Sequence, residues 1–455
     1  MINRSLINTS GHRKGVTLEG NEYTENIPES AKHKEGYTLK THQGDLTVTD
    51  DILSTGLLII GSTGSGKTNT FYNILDHVIP QMKNDVMIIF DAKGDFKKRY
   101  YNPMCPSHVL VSVNSADKAN ALSWNIYGEC LNERGEIDSE SELTALEVAA
   151  NAFKPLISRQ QPFFHLAGRG VFASIIIAFL RDAAATGDFS KLNNETLCSF
   201  LTEKTSKEIL QFTAGRYSDM RYLEDYIGDE KSKQTHSVMS FIHAMVSNTF
   251  ISTFRNRQPK GDFSIRKLIR EKKGKIIFLE FDLNHSEATK TVYSLLGDLA
   301  IKEALSVDSP QGSTFFVCDE INLLPYCDER FELLVNYGRS KKCKTVVGLQ
   351  SVSQLHKNYG KDTANCILAG MISAICFNTV DYESRTYIKH RLGESYKIYN
   401  YAGTNISREA FTVSDSDIIN LDIGEAFVDF KRTTPFKVRF KDAPEFYIPS
   451  RRFSL

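Results

Sequence analysis

The chain reads as an α/β fold. A mostly parallel central sheet carries a nucleotide-binding loop, with an all-helical insertion and a C-terminal β-hairpin added to it. Three observations predict this. Leu57-Leu58-Ile59-Ile60 runs directly into G-x-x-x-x-G-K-T at Gly61 to Thr68, the phosphate-binding motif of nucleoside triphosphatases. Further short apolar segments, each bounded by polar turns, have the pattern of parallel strands covered on both faces. Between Tyr127 and Gly261 strand signals give way to long helical patterns.

Taken in order, residues 1–44 are polar and short in aromatic residues, and are expected to form an arm or an irregular edge. Residues 45–126 form the first part of the nucleotide-binding domain. There Gly61, Ser62, Thr63, Gly64, Ser65 and Gly66 let successive backbone N–H groups turn toward a phosphate chain, where a Cβ would block the turn. Lys67 supplies positive charge to the terminal phosphates of ATP, and the Thr68 hydroxyl is placed to ligate Mg2+. Phe71, Ile74, Leu75, Val78 and Ile79 recur at helical spacing up to Pro80, so a helix N-terminus faces the phosphates. Val86 to Asp91 is a second buried strand ending in an acid, followed by Ala92-Lys93-Gly94-Asp95.

Residues 127–262 are expected to be an all-α domain, with helical patterns over 143–156, 163–185, 206–227 and 237–254. The second part of the nucleotide-binding domain, 263–455, brings strands at 275–279, 314–318, 345–349 and 373–377. Residues 425–430 and 436–440 alternate around a Thr-Thr-Pro turn and predict the terminal hairpin.

Phosphoryl chemistry requires a carboxylate near the metal and a group that orients or deprotonates water. Three strand ends carry acids: Asp91, the pair Glu280 and Asp282, and Asp319-Glu320. Adjacent acids can divide these tasks, which assigns Asp319 to the magnesium shell and Glu320 to the water. Asp91 either supports the phosphates or closes a plain turn. Arg339 follows a helical stretch that Gly338 would cap. It is either one of a solvated basic cluster at a helix C-terminus or a charge-stabilising finger for a neighbouring subunit's γ-phosphate. Gln350, at a strand end, places an amide where it can bond the attacking water or the γ-phosphate, or simply a neighbouring strand end.

Hydrophobic residues make up 41% and charged residues 24% of the chain, with a net charge of zero. That is ordinary for a globular protein and excludes a global field directed at polyanions, so any such site is a local patch. The basic stretches 97–99, 260–275 and 341–344 are candidates. The eight cysteines form no C-x-x-C pair and no zinc spacing, as reduced core residues would. The longest apolar runs, 171–180 and 366–377, are too short to span a bilayer. The expectation is a soluble cytoplasmic chain without its own transmembrane anchor, reaching the inner face of the membrane only through partners.

The order GSTGSGKT, DAKGD, FFVCDEINLLP and YGRSKKCKTVVGLQSVSQLHKNYG resembles the coupling proteins of bacterial conjugation and type IV secretion, the TraD/TraG/TrwB-like group. The Gly-Arg, the strand, Gln350-Ser351, Ser353-Gln354-Leu355 and Tyr359-Gly360 carry most of that likeness, which extends from about Leu46 to the C-terminus. The resemblance implies a RecA-like motor domain of the FtsK/HerA superfamily, with ATP between the subunits of a ring, usually a hexamer, and DNA in the central channel. It implies Lys67 and Thr68 as phosphate and magnesium ligands, Asp319 and Glu320 as the Walker B pair, Arg339 as the trans-acting arginine, and Gln350 as the residue coupling hydrolysis to movement. A relaxase and type IV secretion components are the implied partners. Ala92 departs from the family's Asp-Pro-x-Gly, and the membrane-anchoring helices of many members are not seen. Two other readings fit the same residues: an ATP-controlled adaptor recruiting a relaxase or effector through the all-α domain, and a HerA/FtsK-like DNA pump in genome processing or phage defence.

Overall fold

The computed structural model describes residues 16–33, 35–132, 134–154, 162–306, 311–325, 328–401, 404–445 and 447. The first fifteen residues of the expected arm lie outside them. The chain divides into two compact units. The first comprises Met1–Gln81, Asp319–Asn322 and Lys344–Leu455, and the second Met82–Cys318 and Leu323–Cys343.

In the first unit, five strands run in the spatial order Phe436–Arg439, Glu425–Asp429, Ser373–Phe377, Leu57–Ile60 and Cys343–Leu349. Leu57–Ile60 is central and parallel to both neighbours, with Ile60 opposite Leu349 on one side and Cys376 on the other. All its residues are buried, which is why the segment is continuously apolar rather than alternating. The expected C-terminal hairpin is present: Glu425–Asp429 pairs antiparallel with Phe436–Arg439 and also closes the edge of Ser373–Phe377.

Two features of this unit differ from expectation. A hairpin of Tyr37–Thr41 with Gly44–Val48 runs across the expected edge of the arm at residue 44. Its inward residues Leu39 and Leu46 are fully buried, so a polar stretch holds a strand on a sparse alternation. A three-stranded sheet of Val16–Gly20, Glu394–Tyr401 and Thr404–Phe411 was not anticipated either.

In the second unit, four parallel strands lie in the order Thr314–Cys318, Val86–Asp91, Lys275–Glu280 and His108–Val111. Most of its other elements among the described residues are helices. The helix Pro162–Thr186 is 25 residues long and, by length and composition, apolar enough to cross a membrane, with 72% of its most apolar window buried. This corrects the expectation that no apolar stretch has that length. Arg169 and the flanking glycines interrupt the run in sequence, yet the helix is buried on every face from Val171 to Leu180. The pattern expected over 206–227 is not one helix but Ser206–Phe212, a 3-10 segment Ser218–Leu223 and Glu224–Ile227.

Entry to and exit from the helical segment are held together by a short parallel pair, Ser123–Trp124 with Asp262–Phe263. Trp124 stacks on Phe250 at 6.1 Å between ring centroids. Beside them Glu129, with no exposed surface, accepts from Trp124 Nε1 at 2.9 Å and from the backbone N–H of Ile265 at 2.8 Å. It also accepts from the Ser264 hydroxyl at 2.8 Å and the Arg266 N–H at 3.1 Å. A single carboxylate therefore fastens the indole and the start of helix Ile265–Glu271 to helix Ile126–Cys130.

Candidate active site

The phosphate loop grows out of strand Leu57–Ile60. Its first residues continue the ladder: Gly61 N–H donates to Leu349 O at 3.1 Å and Ser62 N–H to Asn378 O at 2.8 Å. The glycines are required at two places. A Cβ on Gly61 would stand 2.6 Å from Phe377 Cβ and 2.7 Å from Ser65 Oγ. Gly66, at φ +116°, has a conformation open to glycine, and its missing Cβ leaves room for Gly424, whose Cα would be 3.2 Å away. Gly66 occupies the N-cap of helix Lys67–Val78 without a side-chain cap, so the first turn presents its N–H groups to the loop.

Lys67 is buried, and its ammonium donates to Gly61 O at 2.5 Å and Ser62 O at 3.0 Å, folding back over the loop. Ser65 Oγ is buried and has no hydrogen-bond partner among the described residues. An orphaned hydroxyl inside a glycine-lined cradle fits a phosphate oxygen.

Asp319 and Glu320 lie in the same unit and are 3% and 4% exposed. The backbone at Asp319 passes so close to the neighbouring strand that a Cβ on Gly348 would stand 2.0 Å from Asp319 O. Gly348 is thus a site-building residue that sequence reasoning missed; a glycine inside an otherwise apolar strand is its signal. Burial pushes the Glu320 carboxyl above its ordinary range, opposed by the charge of Lys67 and by the Gln350 N–H. That N–H lies 3.4 Å from Glu320 Oε1, and the Gln350 side-chain amide donates to Thr63 Oγ1 at 2.5 Å. The structure therefore brings together Lys67, Glu320, Gln350 and the loop. Thr68 is half-buried in the first turn of the helix.

Beyond Glu320 the chain is tied to the helix that follows Gln350. Asn322 Nδ2 donates to Gln354 Oε1 at 3.2 Å, Asn358 Nδ2 to Asn322 O at 2.9 Å, and the Tyr359 hydroxyl to Ile321 O at 3.2 Å.

The other candidates, Lys344 apart, lie in the second unit. Asp91 is fully buried and its carboxylate accepts the Lys97 N–H at 2.7 Å, closing its own turn. Glu280 accepts from Lys97 Nζ at 2.8 Å, and Asp117 accepts from the same ammonium at 2.5 Å. Asp282 caps the turn Leu283–His285. Arg339 is exposed in the 3-10 turn Gly338–Lys341. Gly338 does not cap the helix as expected. The left-handed residue is Lys342, at φ 57°, and Gly338 is instead needed for contact, since a Cβ there would meet Cys343 Cβ at 2.9 Å. Several candidate DNA cations are engaged internally: Lys97 as above, Lys272 with Gly312 O at 2.9 Å, and Lys344 with Asp50 at 2.7 Å.

The family model described as "Type IV secretion-system coupling protein DNA-binding domain" matches residues 40–435. The coupling protein TraD of Escherichia coli (strain K12) is 24% identical over 460 aligned residues, covering 94% of this chain and 59% of TraD. The chain thus spans only part of that relative's length. Among solved structures, the bacterial conjugative coupling protein TrwBdeltaN70 superposes with a TM-score of 0.74 at 18% identity, covering 96% of this chain and 98% of that one. Plasmid coupling protein TrwB in complex with ADP and Mg2+ gives 0.72 at 18% identity over 95% and 97% of the two chains. VirB4 of Thermoanaerobacter pseudethanolicus is more distant, at 0.52 and 14% identity over 91% and 98%. The likeness to the TrwB structures shows the fold, a RecA-like P-loop NTPase architecture with added helices and a C-terminal hairpin.

Proposed function

This chain belongs to the type IV secretion-system coupling protein family, and on that premise we propose that it is a ring-forming, DNA-stimulated ATPase that couples ATP hydrolysis to DNA movement in conjugative transfer. The observation that supports this most is the convergence in one compact unit of the glycine-lined loop, a buried Glu320 and a Gln350 that touches both.

In this reading the backbone N–H groups of Gly61 to Thr68 hold the phosphates, and Lys67 exchanges its loop carbonyls for phosphate oxygens. Mg2+, when bound, neutralises charge on the β- and γ-phosphates; Thr68 and Asp319 are the residues that would hold it. Glu320 accepts a proton from the attacking water, a role suited to a carboxylate made more basic by burial. Arg339 acts on the site of an adjacent protomer, and its exposure supports that role. It offsets charge that develops in the transition state. Segments 45–126 and 263–455 serve as the motor, 127–262 as the helical module, and 1–44 as an edge. DNA is held in the central channel of a hexamer, mainly through its backbone and in a salt-sensitive way. The protein works at the cytoplasmic face of the membrane with a relaxase and secretion components.

ATP turnover measured without DNA and with single- and double-stranded DNA, alongside the mass of the particle under each condition, tests the reading. Stimulated turnover by an oligomer supports it. Turnover indifferent to both DNAs, from a chain that stays monomeric throughout, overturns it in favour of an ATP-controlled adaptor.

A further inference from the structure

Gln350 closes strand Cys343–Leu349, one residue beyond the pairing of Leu349 with Ile60. Two contacts fix it in place. Its backbone N–H faces Glu320 Oε1, and its side-chain amide reaches the hydroxyl of Thr63 at the crown of the phosphate loop. A phosphate loop grips its ligand with backbone N–H groups, and the motif leaves residue 63 unspecified. A hydroxyl at that position is not needed for the cradle. Thr63 is also exposed, so packing does not require it. The contact that accounts for it is the one to Gln350.

The geometry points to Thr63 as a positioning residue, whose hydroxyl holds the Gln350 amide at the loop crown ahead of substrate. This rests on the ATPase reading proposed above, with Gln350 as the amide that meets the terminal phosphate or the attacking water, and deepens it. A glutamine side chain with three rotatable bonds loses considerable freedom when it is ordered. Anchoring it in advance removes that loss from the step in which the amide meets the terminal phosphate or the attacking water. The same anchor makes Gln350 respond to the loop. When phosphates enter and the crown moves, the amide moves with it, and so does helix Val352–Tyr359, whose N-cap is the adjacent Ser351.

Thr63→Val keeps the side-chain shape and removes the hydroxyl. Its kcat is expected to fall about tenfold, the equivalent of about 1.4 kcal/mol or one hydrogen bond. KM for ATP and the affinity for a fluorescent ATP analogue stay within about twofold of wild type, since the cradle is intact. Thr63→Ser restores most of kcat. Gln350→Ala shows an equal or larger fall, since it removes the amide as well as its anchor, and adding Thr63→Val to it costs little more. A wild-type kcat in Thr63→Val, losses that multiply in the double variant, or a raised KM at unchanged kcat overturns the assignment. Lys67→Ala tests the ATPase reading separately: turnover that survives it counts against that reading and leaves Thr63 to be judged by spectroscopy. In NMR spectra the Gln350 side-chain amide is expected to shift in Thr63→Val and to stay in place in Thr63→Ser. An amide unmoved by Thr63→Val overturns the anchor whatever the enzyme does.

Discussion

Replacing Glu129 with leucine removes the acceptor of four hydrogen bonds without opening a large cavity, and the consequence is open to calculation. Two of the donors, the Trp124 indole and the Ile265 N–H, belong to residues that are 1% and 0% exposed, so water cannot replace the carboxylate. Each buried donor left without a partner costs about 1–3 kcal/mol. The Arg266 N–H and the Ser264 hydroxyl are nearer solvent or can reorient, and they add less. The sum is a loss of about 2–6 kcal/mol from the second unit, set mainly by the two fully buried donors. The chain supplies its own probe, because Trp124 is its single tryptophan and reports on the bond that is cut. Urea unfolding followed by tryptophan fluorescence should show a lower midpoint at an unchanged slope. A native emission spectrum identical to wild type, with a loss below about 1 kcal/mol, would refute the claim that Glu129 pins this junction.

Three outcomes bear on the chemistry. Glu320→Gln should bind ATP as wild type does and turn over at least about 100-fold more slowly, the usual contribution of a general base; normal turnover would remove Glu320 from that role. Because burial raises its carboxyl, wild-type turnover should decline as the pH falls through a range above that of ordinary carboxylates, while the residual rate of the glutamine variant stays flat there. Arg339→Ala should lose turnover alone and regain part of it when mixed with Lys67→Ala, since each supplies what the other lacks. Mixed rings that form without complementation would place Arg339 outside the neighbour's site.

The parts of the fold that were legible are those in which burial acts on both faces of a strand. Leu57–Ile60, Val86–Asp91, Thr314–Cys318 and Ser373–Phe377 have no polar alternation to mislead a reader, and the observed bounds match the apolar runs. His108–Val111 escaped notice because it begins on a histidine and is only four residues long. Glu394–Tyr401 and Thr404–Phe411 carry no continuous apolar run, and their eight-residue antiparallel pairing is what defines them. In the site, the motif named the loop and Gln350 was visible as a polar residue at a strand end. Its bond to Thr63 was not visible, because residues 287 positions apart meet only through the register of two parallel strands. Gly338 misled for a similar reason: a glycine after a helix suggests a cap, yet this one makes room for Cys343.

The packing of Gly424 against the phosphate loop bears on how the protein is made. Gly424 N–H donates to Ser65 O at 2.9 Å, and Asn69, one residue beyond the motif, donates to Lys441 O at 3.0 Å. A nascent chain that has emerged only as far as the helical segment already contains the whole motif, but the loop lacks the strands and the turn that give it shape. Synthesis proceeds at roughly 5–20 residues per second, and domains generally fold as units. The interval between emergence of the loop and its completion is therefore tens of seconds by that rate, and throughout it the nascent polypeptide carries an unfinished cradle. The finished cradle is thereby deferred until Gly424 has been made, and a chain cut short before it would lack the turn that packs on the loop.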